Sequence, residues 1–334
     1  RVRSSAASDV YKRQDITLGI RNYNVEASAA MNSAFKLYDV FPVSDTDFNT
    51  DKGTLNKVNV SYRPSGKNQN YYFTSSEGYR RGGVNAVPTE GPLAEDAGWV
   101  PFESDTVKNI EFGVKGALAD GTYYNLSYFM VDWDNPQLNT STPVNGYYAV
   151  VNGDTAQING FDVELSGSAG AIDWNVGYSN KNARLSSDFY TPADTPVLYA
   201  RSGAKLPGSP DHTFNLNLAH TSYFGKTDDI LSGMGMVNRL DLYAQSSTRN
   251  YIGDNSAYDA EFDGFNIINA SSTIFNDDMY VSLFIKNLTN ERGTTGAFLN
   301  EAFGPQPSQG FYGSNSREFY ALPRTIGFSI SRGF

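Results

Sequence analysis

Few side chains in this sequence could make or break bonds. It has two histidines, His212 and His220, and no cysteine. Thiolate nucleophiles, cysteine metal sites and disulfides are therefore excluded. A Ser–His–Asp relay needs a histidine oriented by an acid, and both histidines fall at or within β-patterned segments with no placed partner. Asp45–Gly53 (DTDFNTDKG) sets acidic side chains at alternate positions, as a calcium loop does. The sixth position of such a loop requires Gly but holds Thr50, and the twelfth requires Glu but holds Asn56. A solvated acidic loop is the better reading. Other Asp and Glu pairs have no known separation, so glycosidase chemistry has no basis. The sequence predicts no catalytic residue, no metal site and no cofactor.

Binding chemistry has more material. The 334 residues carry a net charge of -10, and no basic stripe appears, so a nucleic-acid partner is excluded. Charged residues make up 19% and aromatics 14%, with 22 Tyr and 21 Phe. That balance suits a surface whose rings meet lipid and the membrane–water boundary. No apolar run reaches the roughly 18 residues of a transmembrane helix. The mean hydropathy of -0.43 is compatible with a membrane barrel, in which only alternate residues touch lipid.

Arg1–Gln14 (RVRSSAASDVYKRQ) lacks the apolar stretch of a signal peptide and resembles translated adaptor sequence, so 1–14 is set apart as adaptor-derived or disordered. From Asp15 onward the chain reads as β-segments of roughly ten residues, the length of a tilted transmembrane strand. They fall near Ile16–Ser28, Thr54–Tyr62, Asn70–Gly78, Val107–Ala117, Thr122–Trp133, Val150–Gly167, Ala171–Lys181, His212–Tyr223, Met236–Ser247, Gly264–Phe275, Met279–Asn287 and Arg324–Phe334. Ile110, Phe112 and Val114 alternate with Glu111, Gly113 and Lys115. Ile172, Trp174, Val176 and Tyr178 alternate with Asp173, Asn175, Gly177 and Ser179. One apolar and one polar face per strand is the pattern of a barrel with lipid outside and water inside.

The connections alternate too. Ala29–Gly53, Tyr79–Thr106, Asp134–Ala149, Asn182–Asp211, Thr248–Asp263 and the stretch before Arg324 are long. Arg63–Gln69, Leu118–Gly121, Ser168–Gly170 and Asn276–Asp278 are short, with Phe224–Gly235 intermediate. Outer-membrane barrels alternate short periplasmic turns with long extracellular loops, whereas soluble sandwiches keep most loops short. The hairpin at Asp120 adds a register expectation. A three-residue turn aligns Val114 with Leu126, Phe112 with Tyr128 and Ile110 with Met130 on one face, with Gly121 left-handed. The two-residue alternative pairs Ala119 with Thr122 and sets Val114 opposite Ser127.

Three stretches resemble the TonB-dependent receptors. Tyr72–Gly83 (YFTSSEGYRRGG) is similar to the family's Ser-rich strand followed by G-aromatic-R-x-G-G. Leu283–Arg292 (LFIKNLTNER) is similar to its N-L-[TF]-[DN] strand end, and Pro323–Phe334 (PRTIGFSISRGF) to its last strand. Leu206–His212 and Asn152–Gly160 also look like barrel segments of the family. The resemblance implies an all-β, antiparallel transmembrane β-barrel of about 22 strands with an N-terminal plug in its lumen. Residues 15–334 would supply about 12 of those strands, with the plug and TonB box absent. It implies an outer-membrane receptor, not an enzyme, that imports a ferric chelate, a cobalamin-like cofactor or a carbohydrate with TonB-supplied energy. The alternatives are a passive porin-like channel, an outer-membrane enzyme or a soluble β-sandwich.

The implied partners are outer-membrane lipid, the TonB complex through a missing N-terminal region, the β-barrel assembly machinery and a small-molecule ligand. The assembly signal would be Ile326, Phe328, Ile330 and Phe334, an edge strand with a terminal ring. Ligand capture would fall to extracellular loops and the lumen rim. The candidates are Arg80, Arg81, Trp99, Asp132, Trp133, Tyr147, Tyr148, Arg201, Tyr251, Phe311 and Tyr312, because arginines suit anionic groups and rings offer stacking surfaces. Competing readings place Trp133 and Tyr147 in the outer aromatic belt and give Arg80 a salt bridge within the barrel.

Overall fold

Alternation along each strand becomes two distinct surfaces once the strands pair. The computed structural model describes residues 13–33, 43–89, 94–143, 148–225, 233–253, 260–298 and 317–333, with side chains undescribed at 27–33, 43–49, Ser141, Tyr148, Phe298 and Arg317. Twelve long strands form one antiparallel sheet in which each pairs with its neighbour in sequence. They are Gln14–Ser33, Val43–Tyr62, Gln69–Arg80, Asp105–Ala117, Tyr123–Asp134, Thr155–Ala169, Ile172–Leu185, His212–Tyr223, Gly235–Gln245, Phe265–Phe275, Met279–Lys286 and Thr325–Arg332. Each anticipated segment overlaps one of these strands, and the order is that of an up-and-down barrel wall.

Cross-strand partners sort the two faces. Tyr62, Tyr71, Val114, Leu126, Val163, Tyr178 and Phe214 form a continuous row across successive strands. A second row runs through Trp174, Leu218, Leu240, Ala270, Ile285 and Ile326. Tyr62, Tyr71, Leu126, Leu240 and Ile326 are exposed and the other side chains of the rows half-buried; Phe328, on the same face, is 75% exposed. In water such a surface would be a large unburied apolar patch, and against lipid it is satisfied. The other face is wet. Asn175 donates to Glu164 Oε1 at 3.4 Å and accepts from Asn215 and Asn217 at 3.2 Å each.

The anticipated three-residue turn forms. Leu118 and Thr122 are joined by a 2.8 Å backbone bond, and Gly121 sits at φ 88°. Val114 meets Leu126, Phe112 meets Tyr128 and Ile110 meets Met130. On the inner face, several rings lie flat over a glycine of the next strand. At Gly113 a Cβ would come within 2.3–2.4 Å of Tyr72 ring and hydroxyl atoms, and that hydroxyl donates to Glu111 Oε1 at 2.7 Å.

Three expectations need correction. The first hairpin continues to Ser33↔Val43, so most of the expected Ala29–Gly53 loop, including Asp45–Gly53, is strand. The stretches 29–33 and 43–53 lack the regular apolar–polar alternation of the other strands, so nothing in the sequence marked them as β. The expected strand Val150–Gly167 is two strands. Tyr148–Asn152 folds back on Gln137–Ser141, and the wall strand starts at Thr155. Asn135, with φ 51°, and Pro136 turn the chain there, and the 2.8 Å bond from Gly153 N to Pro136 O closes it. The first described strand includes Gln14, the last residue set apart above.

Candidate functional site

The long-loop end of the wall is built around one carboxylate. Arg80 is the last residue of its strand and faces Asp105, the first residue of the next. Arg80 Nε donates to Asp105 Oδ2 at 2.9 Å and Oδ1 at 3.2 Å, and its Nη2 makes a further ion pair with Oδ2. Trp133 Nε1 donates to the same Oδ2 at 2.9 Å, and the Gln137 backbone N–H does so at 3.2 Å. The Arg80 guanidinium carbon lies 5.1 Å from the Trp133 ring centroid, a cation–π contact. The Asp105 side chain is 2% exposed and fully engaged, while that of Arg80 is 54% exposed and keeps one edge in solvent.

Above this rim the loops share one apolar cluster, which includes Val87, Trp99, Leu138, Val151, Leu185, Phe189, Leu206 and Ile252. Asn85 stitches two loops together: its amide donates to Trp99 O at 2.8 Å and Val150 O at 2.6 Å, and its oxygen accepts from Val150 N at 2.8 Å. A buried amide so fully bonded costs little to desolvate and fixes the loops against one another.

Between the loop cluster and the inner face of the wall lies a cavity of about 420 Å³. Among the described residues, its lining holds the rings of Trp133 and Tyr251, the polar side chains of Gln137, Asn139, Ser209 and Asn250, and the cation Lys181. Leu138, Ile158, Ala183, Leu206 and Ile252 supply apolar lining. Volume and lining are those of a small-molecule site. Beside it, Asp211 binds Arg184 through two bonds of 3.1 Å and Lys205 Nζ at 3.1 Å. Burial pushes the Asp211 carboxyl up, but these cations outweigh it and hold it below the usual carboxylate range. A second hollow of about 440 Å³ lies at the short-turn end and includes Lys67, Lys115 and Glu164.

The structure gathers some of the anticipated residues and separates others. Trp133 and Tyr251 line the cavity, and Arg80 braces Trp133 from the side. The ring of Trp133 thus points inward, not into the outer belt. Trp99 is 1% exposed in the loop cluster. Asp132 takes an outward register in the polar row Glu77, Lys108, Asp132 and Gln157. Arg81 is exposed, with its carbonyl accepting from Gln137 Nε2 at 2.9 Å, and Arg201 is exposed on a turn. Tyr148 lies in a loop strand. Tyr147, Phe311, Tyr312 and Phe334 lie outside the described residues, whereas Ile326, Phe328 and Ile330 face outward on the final strand, 65%, 75% and 65% exposed.

Sequence reasoning missed Asp105, Gln137, Lys181 and Asn250. Lys181 continues the polar parity of Asp173, Asn175, Gly177 and Ser179, so the alternation already placed it inward. His212 meets Tyr178, with Nδ1 2.9 Å from its hydroxyl, and His220 pairs across strands with Ile172. Among the described residues no cluster of His, Asp and Glu could hold a metal ion.

A family model described as TonB dependent receptor-like, beta-barrel matches residues 9–288. No curated protein sequence matches. Among solved structures, the ferric yersiniabactin uptake receptor FyuA from Yersinia pestis is 19% identical, with a TM-score of 0.71 over 97% of this chain and 44% of its own. The ferric-catecholate import receptor Fiu from E. coli K12 is 18% identical, with a TM-score of 0.64 over 97% of this chain and 43% of its own. The copper transporter OprC is 14% identical, with a TM-score of 0.66 over 97% of this chain and 45% of its own. The chain thus spans less than half the length of these structures.

Proposed function

Because this chain belongs to the family of TonB dependent receptor-like β-barrels, we propose that it forms part of the wall and loop cap of an outer-membrane receptor importing a scarce small-molecule nutrient. The cavity of about 420 Å³ between the loop cluster and the inner wall carries this reading. A ligand entering from outside would meet the rings of Trp133 and Tyr251 and the amides of Gln137, Asn139 and Asn250. Rings supply contact area at low entropic cost, and amides fix orientation.

The reading assigns capture to these residues and release to motion of the rest of the polypeptide, driven by TonB. Two of the structural neighbours are named as receptors for ferric chelates, which makes a metal chelate the first class to try. Partners on this reading are lipid around the apolar rows, the assembly machinery at the last strand, and TonB through a plug. Transport needs no nucleophile or acid–base pair, and none is invoked.

The test is uptake in a strain lacking its other receptors. The gene should restore energy-dependent accumulation of one labelled chelate, cobalamin or oligosaccharide from a panel, and Trp133→Ala should raise the concentration needed for half-maximal uptake about tenfold or more. Accumulation that persists after the proton gradient is dissipated, with ion conductance in planar bilayers, would instead identify a passive channel.

A further inference from the structure

Among the described residues, the cavity lining carries one charged side chain with no ion-pair partner. Lys181 lies on its lining, on the inward parity of the Ile172–Leu185 strand, where its cross-strand partner is Gly160. Its ammonium makes no ion pair among the described residues. The carboxylates that flank the cavity walls are already engaged. Asp211 is held by Arg184 and Lys205, and Asp105 by Arg80, Trp133 and the Gln137 backbone. Asp132, adjacent in sequence to Trp133, faces outward beside Lys108 and Gln157. The remaining polar lining, chiefly Gln137, Asn139 and Asn250, is neutral.

A lone cation in a partly desolvated, mostly neutral cavity is not a general attraction for charge. It selects sign and number. The chain as a whole carries -10 and repels anions at long range, so the attraction at Lys181 is local. A cationic ligand would find no unengaged carboxylate among the described residues of the lining. A ligand with several charges would leave all but one of them desolvated and unpaired, which costs more than the single pair returns.

Resting on the receptor reading above, we propose that this cavity takes a ligand bearing one localised anionic group on a ring-containing body. Lys181 pairs with the anion, and Trp133 and Tyr251 contact the ring. Lysine is a compact point charge and does not impose the two-pronged geometry of arginine, so the geometry of the anion is not selected, only its single charge.

Four small probes differing in charge test the assignment by saturation-transfer NMR on the complete polypeptide extracted from outer membranes. They are benzoate, benzamide, benzyltrimethylammonium and the trianion trimesate. Benzoate should bind roughly fivefold more tightly than benzamide, about the worth of one partly screened ion pair. Trimesate should gain nothing over benzoate, and benzyltrimethylammonium should be weakest. Lys181→Gln should erase the difference between benzoate and benzamide, while the outward-facing Lys108→Gln should leave it intact. Equal binding of benzoate and benzamide, or a preference that survives Lys181→Gln, would overturn the charge assignment. If Trp133→Ala then still abolished binding of both, the receptor cavity would stand without it. Failure of every probe to show binding that depends on Trp133 would overturn the cavity reading as well.

Discussion

Trp133 Nε1 donates to Asp105 Oδ2 at 2.9 Å, which ties a ring on the cavity lining to a carboxylate that is 2% exposed. The same oxygen receives Arg80 and the Gln137 N–H, so one residue fixes two parts of the cavity wall. Asp105→Asn keeps the shape but removes the charge, leaving Arg80 to find solvent. Charge-assisted bonds of this kind are worth about 1.5–3 kcal/mol each in buried settings; with Arg80 half exposed, a loss of about 1–2 kcal/mol is expected, confined to the rim. In a Trp99→Phe, Trp174→Phe background, the emission of Trp133 should shift to the red and loop proteolysis should quicken. An unchanged spectrum would mean that the ring is held by packing alone.

The Tyr72 ring occupies the space a side chain at position 113 would need. Gly113→Ala must push the ring aside and break its 2.7 Å bond to Glu111, at a cost of about 1–3 kcal/mol. At Gly19, also on the inner face, an added Cβ would meet Lys57 Cβ at an ordinary 3.5 Å. Gly19→Ala should therefore be nearly silent. The temperature at which each variant loses its compact, fast-migrating band on SDS gels separates the two; equal shifts would refute the packing argument.

The parts of this fold that were legible in the sequence lie where apolar and polar side chains alternate along paired strands. Phe112 against Tyr128 and Val114 against Leu126 followed from matching apolar faces, and the left-handed Gly121 followed from that register. Beyond the apolar rows that constraint vanishes. Val150 and Val151 look like the start of a wall strand, yet they belong to a loop ribbon whose apolar side chains pack on other loops. The same holds for Trp99, since a loop aromatic in sequence carries no mark of burial. Asp105 fell one residue pair outside the anticipated strand, and its partners at Arg80, Trp133 and Gln137 are 25, 28 and 32 positions away. No local pattern links them.

Stability of the loop cap should fall in acid, and the sign follows from two carboxylates. Burial raises and the cations Arg184 and Lys205 lower the Asp211 carboxyl, with a net depression. Asp96 is depressed by the N–H groups of Asp194 and Gly98, which bond it at 2.9 Å each. A group depressed on folding stabilises the folded state fully above its unfolded value, near 3.9, and ceases to do so as pH drops through the folded value. Loop order, read by hydrogen exchange around 186–211, should be flat from neutral pH to about 5 and decline below about 4. Asp211→Asn should already show the low-pH pattern at neutral pH. Loosening that begins instead near pH 6 would point to another group.

Asn287 links the end of one wall strand to the approach of the last. At φ 51° and 2% exposed, it donates from Nδ2 to Glu291 O and Leu322 O at 2.8 Å each, and its Oδ1 accepts from Glu291 N at 2.8 Å. This gives the N-L-T-N stretch a mechanical role. Asn287→Ala loses the bonds and strains the left-handed backbone, for an expected loss of about 2–4 kcal/mol, whereas Asn287→Gly loses the bonds but relieves the strain. The order wild type, Gly, Ala in urea midpoints is the test. Alanine equal to glycine would remove backbone strain from the account.

Outward and inward positions on the final strand should respond oppositely to charge. Phe328 pairs with Leu283 on the apolar face, and its neighbour Ser329 pairs with Ser282, which accepts a 2.9 Å bond from Thr273 on the wet face. An arginine directed into hydrocarbon near mid-depth costs about 2–4 kcal/mol, while one directed into a water-filled lumen costs little. Phe328→Arg should thus lower the folded fraction in lipid vesicles sharply, and Ser329→Arg should barely alter it. In cells Phe328→Arg should fall further than in vesicles, because Ile326, Phe328 and Ile330 on our reading also present the edge the assembly machinery recognises. Equal losses in cells and vesicles would restrict the strand to its membrane role. Equal tolerance of the two variants would mean that the faces have been assigned the wrong way round, and with them the inner surface on which Lys181 and Trp133 depend.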